Sequence, residues 1–217
     1  MEYSISEGSH FVDVQLDRKH TFICNLQDVV MASDSIVFSH VDVNVKVLTA
    51  LPIECSVDGR SGSITLKGNP NGGIVELDIS KGRWVVKPAV FVGCFDKMDI
   101  KPYPVKGIKA PSHFKTYIMH GPGPCLLGGW GSIREIELRH GEEIKINRDN
   151  ILAFESTVSI ESVIEKARVG KYLSHTMSFF RVKGPGRLIM QSNARGPLQD
   201  PNGAVFVTTM VPITNPN

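Results

Sequence analysis

The stretch Gly131-Ser132-Ile133-Arg134-Glu135-Ile136-Glu137-Leu138-Arg139-His140-Gly141-Glu142-Glu143-Ile144-Lys145-Ile146-Asn147-Arg148-Asp149-Asn150-Ile151-Leu152-Ala153-Phe154 decides the fold. Ile136 and Leu138 alternate with Glu135, Glu137 and Arg139, and Ile144 and Ile146 flank Lys145. A period of two turns one face of a strand inward and the other outward. His140-Gly141-Glu142 and Arg148-Asp149-Asn150 carry residues that reverse a chain. Ile151-Leu152-Ala153-Phe154 is an unbroken apolar run, the pattern of a strand buried on both faces.

The same order occurs twice more. Ile74 to Ile79 alternates, Ser80-Lys81-Gly82 turns, Trp84-Val85-Val86 follows, and Val90-Phe91-Val92-Gly93 is the apolar run. Upstream, Phe11 to Leu16 alternates, Asp17 to His20 turns, Thr21 to Cys24 follows, and Val29-Val30-Met31-Ala32 closes the set. Leu16, Leu77 and Leu138 fall at one interval (77 − 16 = 61), and so do Gly62, Gly123 and Gly184. A fixed period marks copies of one structural unit. The leucines read as inward strand positions and the glycines as turns. The expected architecture is all-β: one domain over 1–217 with three similar antiparallel lobes in a pseudo-threefold sandwich or prism. The copies are 8–60, 61–121 and 122–192, followed by a C-terminal strand and tail over 193–217, and the inward faces join in one hydrophobic centre.

Further strands are expected at Ile36 to Phe38, Val41 to Leu48, Ile64 to Leu66, Cys125 to Leu127, Leu188 to Met190 and Ala204 to Val207. One segment reads two ways. Thr157 to Glu161 alternates as a strand, whereas Ile160, Val163, Ile164 and Ala167 have the i, i+3, i+4, i+7 spacing of a helical face. A strand leading into two helical turns, with at most one short helix near 160–169, is the expectation. Pro102, Pro104 and Pro111 mark Lys101 to Lys115 as an exposed connection, and the tail after Pro212 is expected to be disordered.

Composition bounds the function. The chain has 217 residues, 41% hydrophobic and 21% charged, with a net charge of +2. That balance is too mild to argue for nucleic acid, and no basic run occurs. No apolar stretch reaches the roughly 18–20 residues of a spanning helix. The first residues, Met1-Glu2-Tyr3-Ser4-Ile5-Ser6-Glu7, lack the features of a signal or transit peptide. An intracellular, soluble, cytoplasmic protein is the default, with peripheral membrane association left open. Cys24, Cys55, Cys94 and Cys125 form no C-x-x-C pair and read as small buried hydrophobes with free thiols.

No catalytic constellation is visible. There is no G-x-S-x-G elbow, and Gly8-Ser9-His10 and Gly62-Ser63-Ile64 sit at expected strand starts. His40 and Asp42 would share a strand face, but two ligands are too few for a metal site, and a metalloenzyme is the minor alternative. Gly121-Pro122-Gly123 and Gly128-Gly129-Trp130-Gly131 lack the Gly-Lys-Ser/Thr ending of a phosphate loop and read as tight turns. Trp84, at a strand position, reads as core. Neither a cofactor nor a metal is expected.

Gly131 to Glu142, then Leu152-Ala153-Phe154, then Gly184-Pro185-Gly186-Arg187-Leu188-Ile189-Met190-Gln191-Ser192, resemble the altered-inheritance-of-mitochondria family. Its fold is grouped with that of the tryptophan RNA-binding attenuation protein. The likeness is most specific from Gly121 to Ser192 and looser from Phe11 to Val92. Asp17 to His20 and Arg83-Trp84 depart from the family's turn pattern. The resemblance implies a β-rich body of three similar lobes and no established catalytic activity, cofactor or active site. Fungal members are associated with organisation of the mitochondrial inner membrane. The fold's namesake also suggests RNA along an edge with Arg134, Arg139, Lys145, Arg148, Arg181, Lys183 and Arg187, but Glu135, Glu137, Glu142 and Glu143 are interleaved there.

The apolar strand positions and glycines recur, whereas no cluster of titratable groups recurs with them. The expected function is therefore a non-enzymatic scaffolding or assembly role through protein–protein contacts, with a homo-oligomer as the consequence. The alternative is a protein that binds a small molecule or RNA between lobes.

Overall fold

A computed structural model describes residues 2–6, 11–41, 52–68, 72–87, 90–105, 116–169 and 173–193, with the backbone alone for 164–169 and 173–178. The described residues form nineteen strands and no α-helix. After β1 (Glu2–Ile5), the first group is β2 (Phe11–Asp17), β3 (Phe22–Asn25), β4 (Val29–Ala32), β5 (Ile36–His40), β6 (Pro52–Val57) and β7 (Ser61–Lys67). The second is β8 (Ile74–Asp78), β9 (Trp84–Val86), β10 (Phe91–Phe95), β11 (Asp99–Pro102), β12 (Tyr117–His120) and β13 (Pro124–Gly128). The third is β14 (Ile133–Leu138), β15 (Glu143–Asn147), β16 (Ile151–Glu155), β17 (Ser159–Val169), β18 (Leu173–Lys183) and β19 (Gly186–Gln191).

Pairing recurs with this order. The last strand of each group lies between the first and third, giving β2-β7-β4, β8-β13-β10 and β14-β19-β16. The second, fifth and fourth strands form the other sheets, β3-β6-β5, β9-β12-β11 and β15-β18-β17. Two junctions join one group to the next: β3 pairs β10, and β9 pairs β16, so each six-stranded sheet spans two groups. All of these strand pairs are antiparallel. A register shift breaks the third strand's pairing with the last in every group, at Val29/Met31, Phe91/Gly93 and Ile151/Ala153. Such bulges bend a strand and raise its twist, which lets a sheet pass from one body to the next. By pairing, a group ends with β7 or β13, one strand beyond the copy boundaries at 60 and 121.

The alternation read in sequence becomes packing. β2 alternates exposed and buried, with Val12, Val14 and Leu16 inward. The expected single hydrophobic centre is instead three core clusters. One joins Leu16, Phe22 and Ile64 to Val92, Phe95 and Leu126 of the second group. Another gathers Ile23, Leu77, Trp84 and Met119 with Leu152 and Ile189. The third packs Leu138, Phe154, Phe180 and Leu188 on Val85 and Ile118. The cause is the junction sheets, whose opposite faces serve different cores.

The helical turns near 160–169 do not form. Residues Ser159–Val169 are one continuous strand paired over its full length with Leu173–Lys183. Val158 and Ile160 alternate as a strand, and eleven cross-strand partners outweigh the helical spacing of Ile160, Val163, Ile164 and Ala167. Lys101 and Pro102 lie in β11 rather than in a loop, because Lys101 pairs Ile118 and Pro102 pairs Tyr117. The rest of the proline-rich connection over 106–115, the expected strands at 42–48 and 204–207, and the tail after Pro212 lie outside the described residues.

Candidate interaction surface

The sequence-predicted positions resolve into structure rather than chemistry. Leu16, Leu77 and Leu138 are all buried, each in a different one of the three clusters. Gly62 lies inside β7 rather than in a turn, Gly123 immediately precedes β13, and Gly184 immediately follows β18. None of the three has a positive φ. They share close approach: a Cβ at Gly62 would stand 2.7 Å from Ile36, at Gly123 3.0 Å from the Phe95 carbonyl oxygen, and at Gly184 2.5 Å from that of Arg139. Absence of a side chain, not φ freedom, is what these sites use.

The four thiols are free and buried. They occupy four neighbouring strands of one sheet, β6, β3, β10 and β13. Cys24 and Cys55 bring their sulfurs to 3.9 Å. The hydrogen bond with Cys55, then burial, holds the Cys24 thiol well above the usual range, and burial does the same to Cys94 and Cys125. A thiol kept protonated is a poor nucleophile and a poor metal ligand. Among the described residues no three His, Cys, Asp or Glu side chains are grouped to hold a metal ion. His40 is exposed on β5, and Asp42 and Gly8-Ser9-His10 lie outside the described residues.

The cations named for an RNA edge are largely engaged. Arg181 pairs with Glu161 at 3.6 Å, Lys183 with Glu143 at 3.0 Å and Arg148 with Asp149 at 3.3 Å. Arg187 donates through Nε to Glu155 at 2.8 Å, reaches Glu135 at 3.5 Å, and lies 4.9 Å from the centre of the Trp84 ring. Trp84 is buried core, as its strand position predicts, and its indole N–H has no hydrogen-bond partner among the described residues. Trp130 is half-buried, its backbone N–H donating to Gln191 Oε1.

Among the described residues, the large apolar side chains left exposed are Phe11, Leu26, Val30, Met31, Val37 and Phe38. All come from the first group. The run Val29 to Ala32 had read as a strand like the other two runs, yet Val30 is 56% and Met31 62% exposed. The matching Phe91 and Val92 are each 6% exposed, and Leu152 and Ala153 are 1% and 0%. The strands also differ in pairing: β10 and β16 are paired on both sides, whereas among the described residues β4 pairs β7 alone and ends its sheet. Nothing within the run itself carried this signal.

An all-β protein built from recurring six-strand groups with interlocked cores is the class that this architecture defines. The chain belongs to the family described as Mitochondrial biogenesis AIM24, which matches residues 3–193. No curated protein matches it. Among solved structures, protein SPYM3_0169 from Streptococcus pyogenes is similar in fold at a TM-score of 0.68 and 14% identity. That match covers 89% of this chain and 94% of the other.

Proposed function

We propose that this chain is a non-enzymatic assembly component that acts through protein–protein contacts, self-association first among them. We also read its three strand groups as copies of one unit, joined in series. The observation that carries the functional reading is the segregation of exposed apolar side chains into residues 11–38. Four of the six, Val30, Met31, Val37 and Phe38, lie on β4 and β5, which end their sheets among the described residues, and an open apolar edge invites pairing with another chain. The protonated thiols and ion-paired arginines support surface contact over nucleophilic or nucleic-acid chemistry. No helix among the described residues is long and apolar enough to cross a membrane.

Light scattering of the purified chain at micromolar concentration tests the reading. The expected result is a defined mass that is a multiple of the 23.9 kDa chain. A strictly monomeric mass across that range would overturn it.

A further inference from the structure

The two junctions follow one rule. Across the first, Cys24 pairs Gly93, Ile23 pairs Cys94 and Phe22 pairs Phe95. Across the second, Val86 pairs Ala153, Val85 pairs Phe154 and Trp84 pairs Glu155. Moving Cys24 and Gly93 each by the repeat interval gives Val85 and Phe154, so the register is the same. The rule extends past the strand ends. The Asp96 N–H donates to the Thr21 carbonyl at 2.9 Å, and the Ser156 N–H donates to the Arg83 carbonyl at 2.9 Å.

Among the described residues, two strands of these same types lack the junction partner. β4 is the third strand of its group, like β10 and β16, and ends a sheet of order β1-β2-β7-β4. β15 is the second strand of its group, like β3 and β9, and ends the sheet β15-β18-β17. They are the two ends of one series of junctions, at opposite ends of the series and unpaired with each other among the described residues. The exposure of Val30 and Met31 accompanies that missing neighbour, whereas their counterparts Phe91, Val92, Leu152 and Ala153 are buried in cores shared between groups.

We infer that β4 of one chain pairs antiparallel with β15 of a second copy, head to tail, in the junction register. Ala32 precedes Gly93 by one interval, and Ile146 follows Cys24 by two, so Ala32 faces Ile146 and Met31 faces Asn147. The contact adds a strand to an open edge, with backbone hydrogen bonds supplying affinity and Val30 and Met31 supplying buried apolar area. It is heterologous: each copy offers one edge and uses another, so the assembly closes as a ring or extends as a filament. This inference rests on the self-association proposed above and names the strands that make it.

The test mixes full chains carrying Met31→Cys with chains carrying Asn147→Cys under a short thiol crosslinker; the native thiols are buried and serve as the unreactive background. The expected result is a covalent dimer in the mixture and not in either variant alone. A second measurement is light scattering of Val30→Lys, an exposed position, which is expected to reduce the assembly to the single-chain mass while circular dichroism stays unchanged. An oligomer that persists in Val30→Lys, or that gives no crosslink in the mixture, overturns this pairing and leaves self-association through another face. A chain carrying both cysteines that links within itself and keeps a monomer mass also overturns it. A monomeric wild-type chain overturns both readings together.

Discussion

Cys55, Cys24, Cys94 and Cys125 cross one sheet on adjacent strands, and their burial has a thermodynamic consequence. The Cys24, Cys94 and Cys125 thiols are held above the ordinary range, the first chiefly by its hydrogen bond to Cys55 and the others by desolvation. In the unfolded chain they ionise near about 8.5. A proton held more tightly in the folded state gives stability that is complete below the unfolded value and declines as pH rises through it. Each thiol then contributes a slope of up to about 1.4 kcal/mol per pH unit. Urea midpoints at pH 8 and pH 10 are expected to fall with rising pH, and Cys125→Ala is expected to flatten the fall. An unchanged slope in that variant would show that Cys125 ionises without restraint. His40 and Asp42 are different: spacing could suggest a shared strand face there, but two side chains carry no chemistry without a third.

At the scale of the element, junction strands carry the most weight. Phe154 on β16 pairs Val85 on one side and Leu188 on the other, and packs edge-on to Tyr103 at 6.1 Å. Truncation to alanine removes a large buried ring and leaves a cavity between two groups. Phe154→Ala is expected to cost about 3–5 kcal/mol in denaturant unfolding. A loss below about 1 kcal/mol would show that the junction relaxes around the gap. This is also where the limits of sequence reading are plainest. Alternation in Val12, Val14 and Leu16, and the apolar run at Ile151 to Phe154, disclose strands because burial of one or both faces is a local pattern. The run at Val29 to Ala32 reads the same way, yet its outer edge has no neighbour. Pairing is a long-range property, and four residues do not state whether a partner exists. β17 reads two ways for a related reason: Val158 and Ile160 alternate as a strand, whereas Ile160, Val163 and Ile164 keep helical spacing, and only the register with β18 decides between them. The glycines at 62, 123 and 184 were visible as a set, but the close approach that excludes a side chain belongs to Ile36, Phe95 and Arg139, far away in sequence.

At the scale of the whole molecule, each of the three cores draws residues from more than one strand group. No group can bury its apolar face alone, so the groups cannot melt independently. Calorimetry is expected to show one cooperative transition, with matching calorimetric and van't Hoff enthalpies if the assembly is dispersed. Two resolved transitions would mean that one group folds by itself.

The junction sheets place covalent continuity and structural continuity in different parts of the molecule. The backbone passes from one group to the next after β7 and after β13, while strand pairing passes through β3–β10 and β9–β16. Covalent linkage is thus not what holds neighbouring groups edge to edge. A nick there leaves every paired strand in place, so the three pieces stay in one body, joined by their ladders.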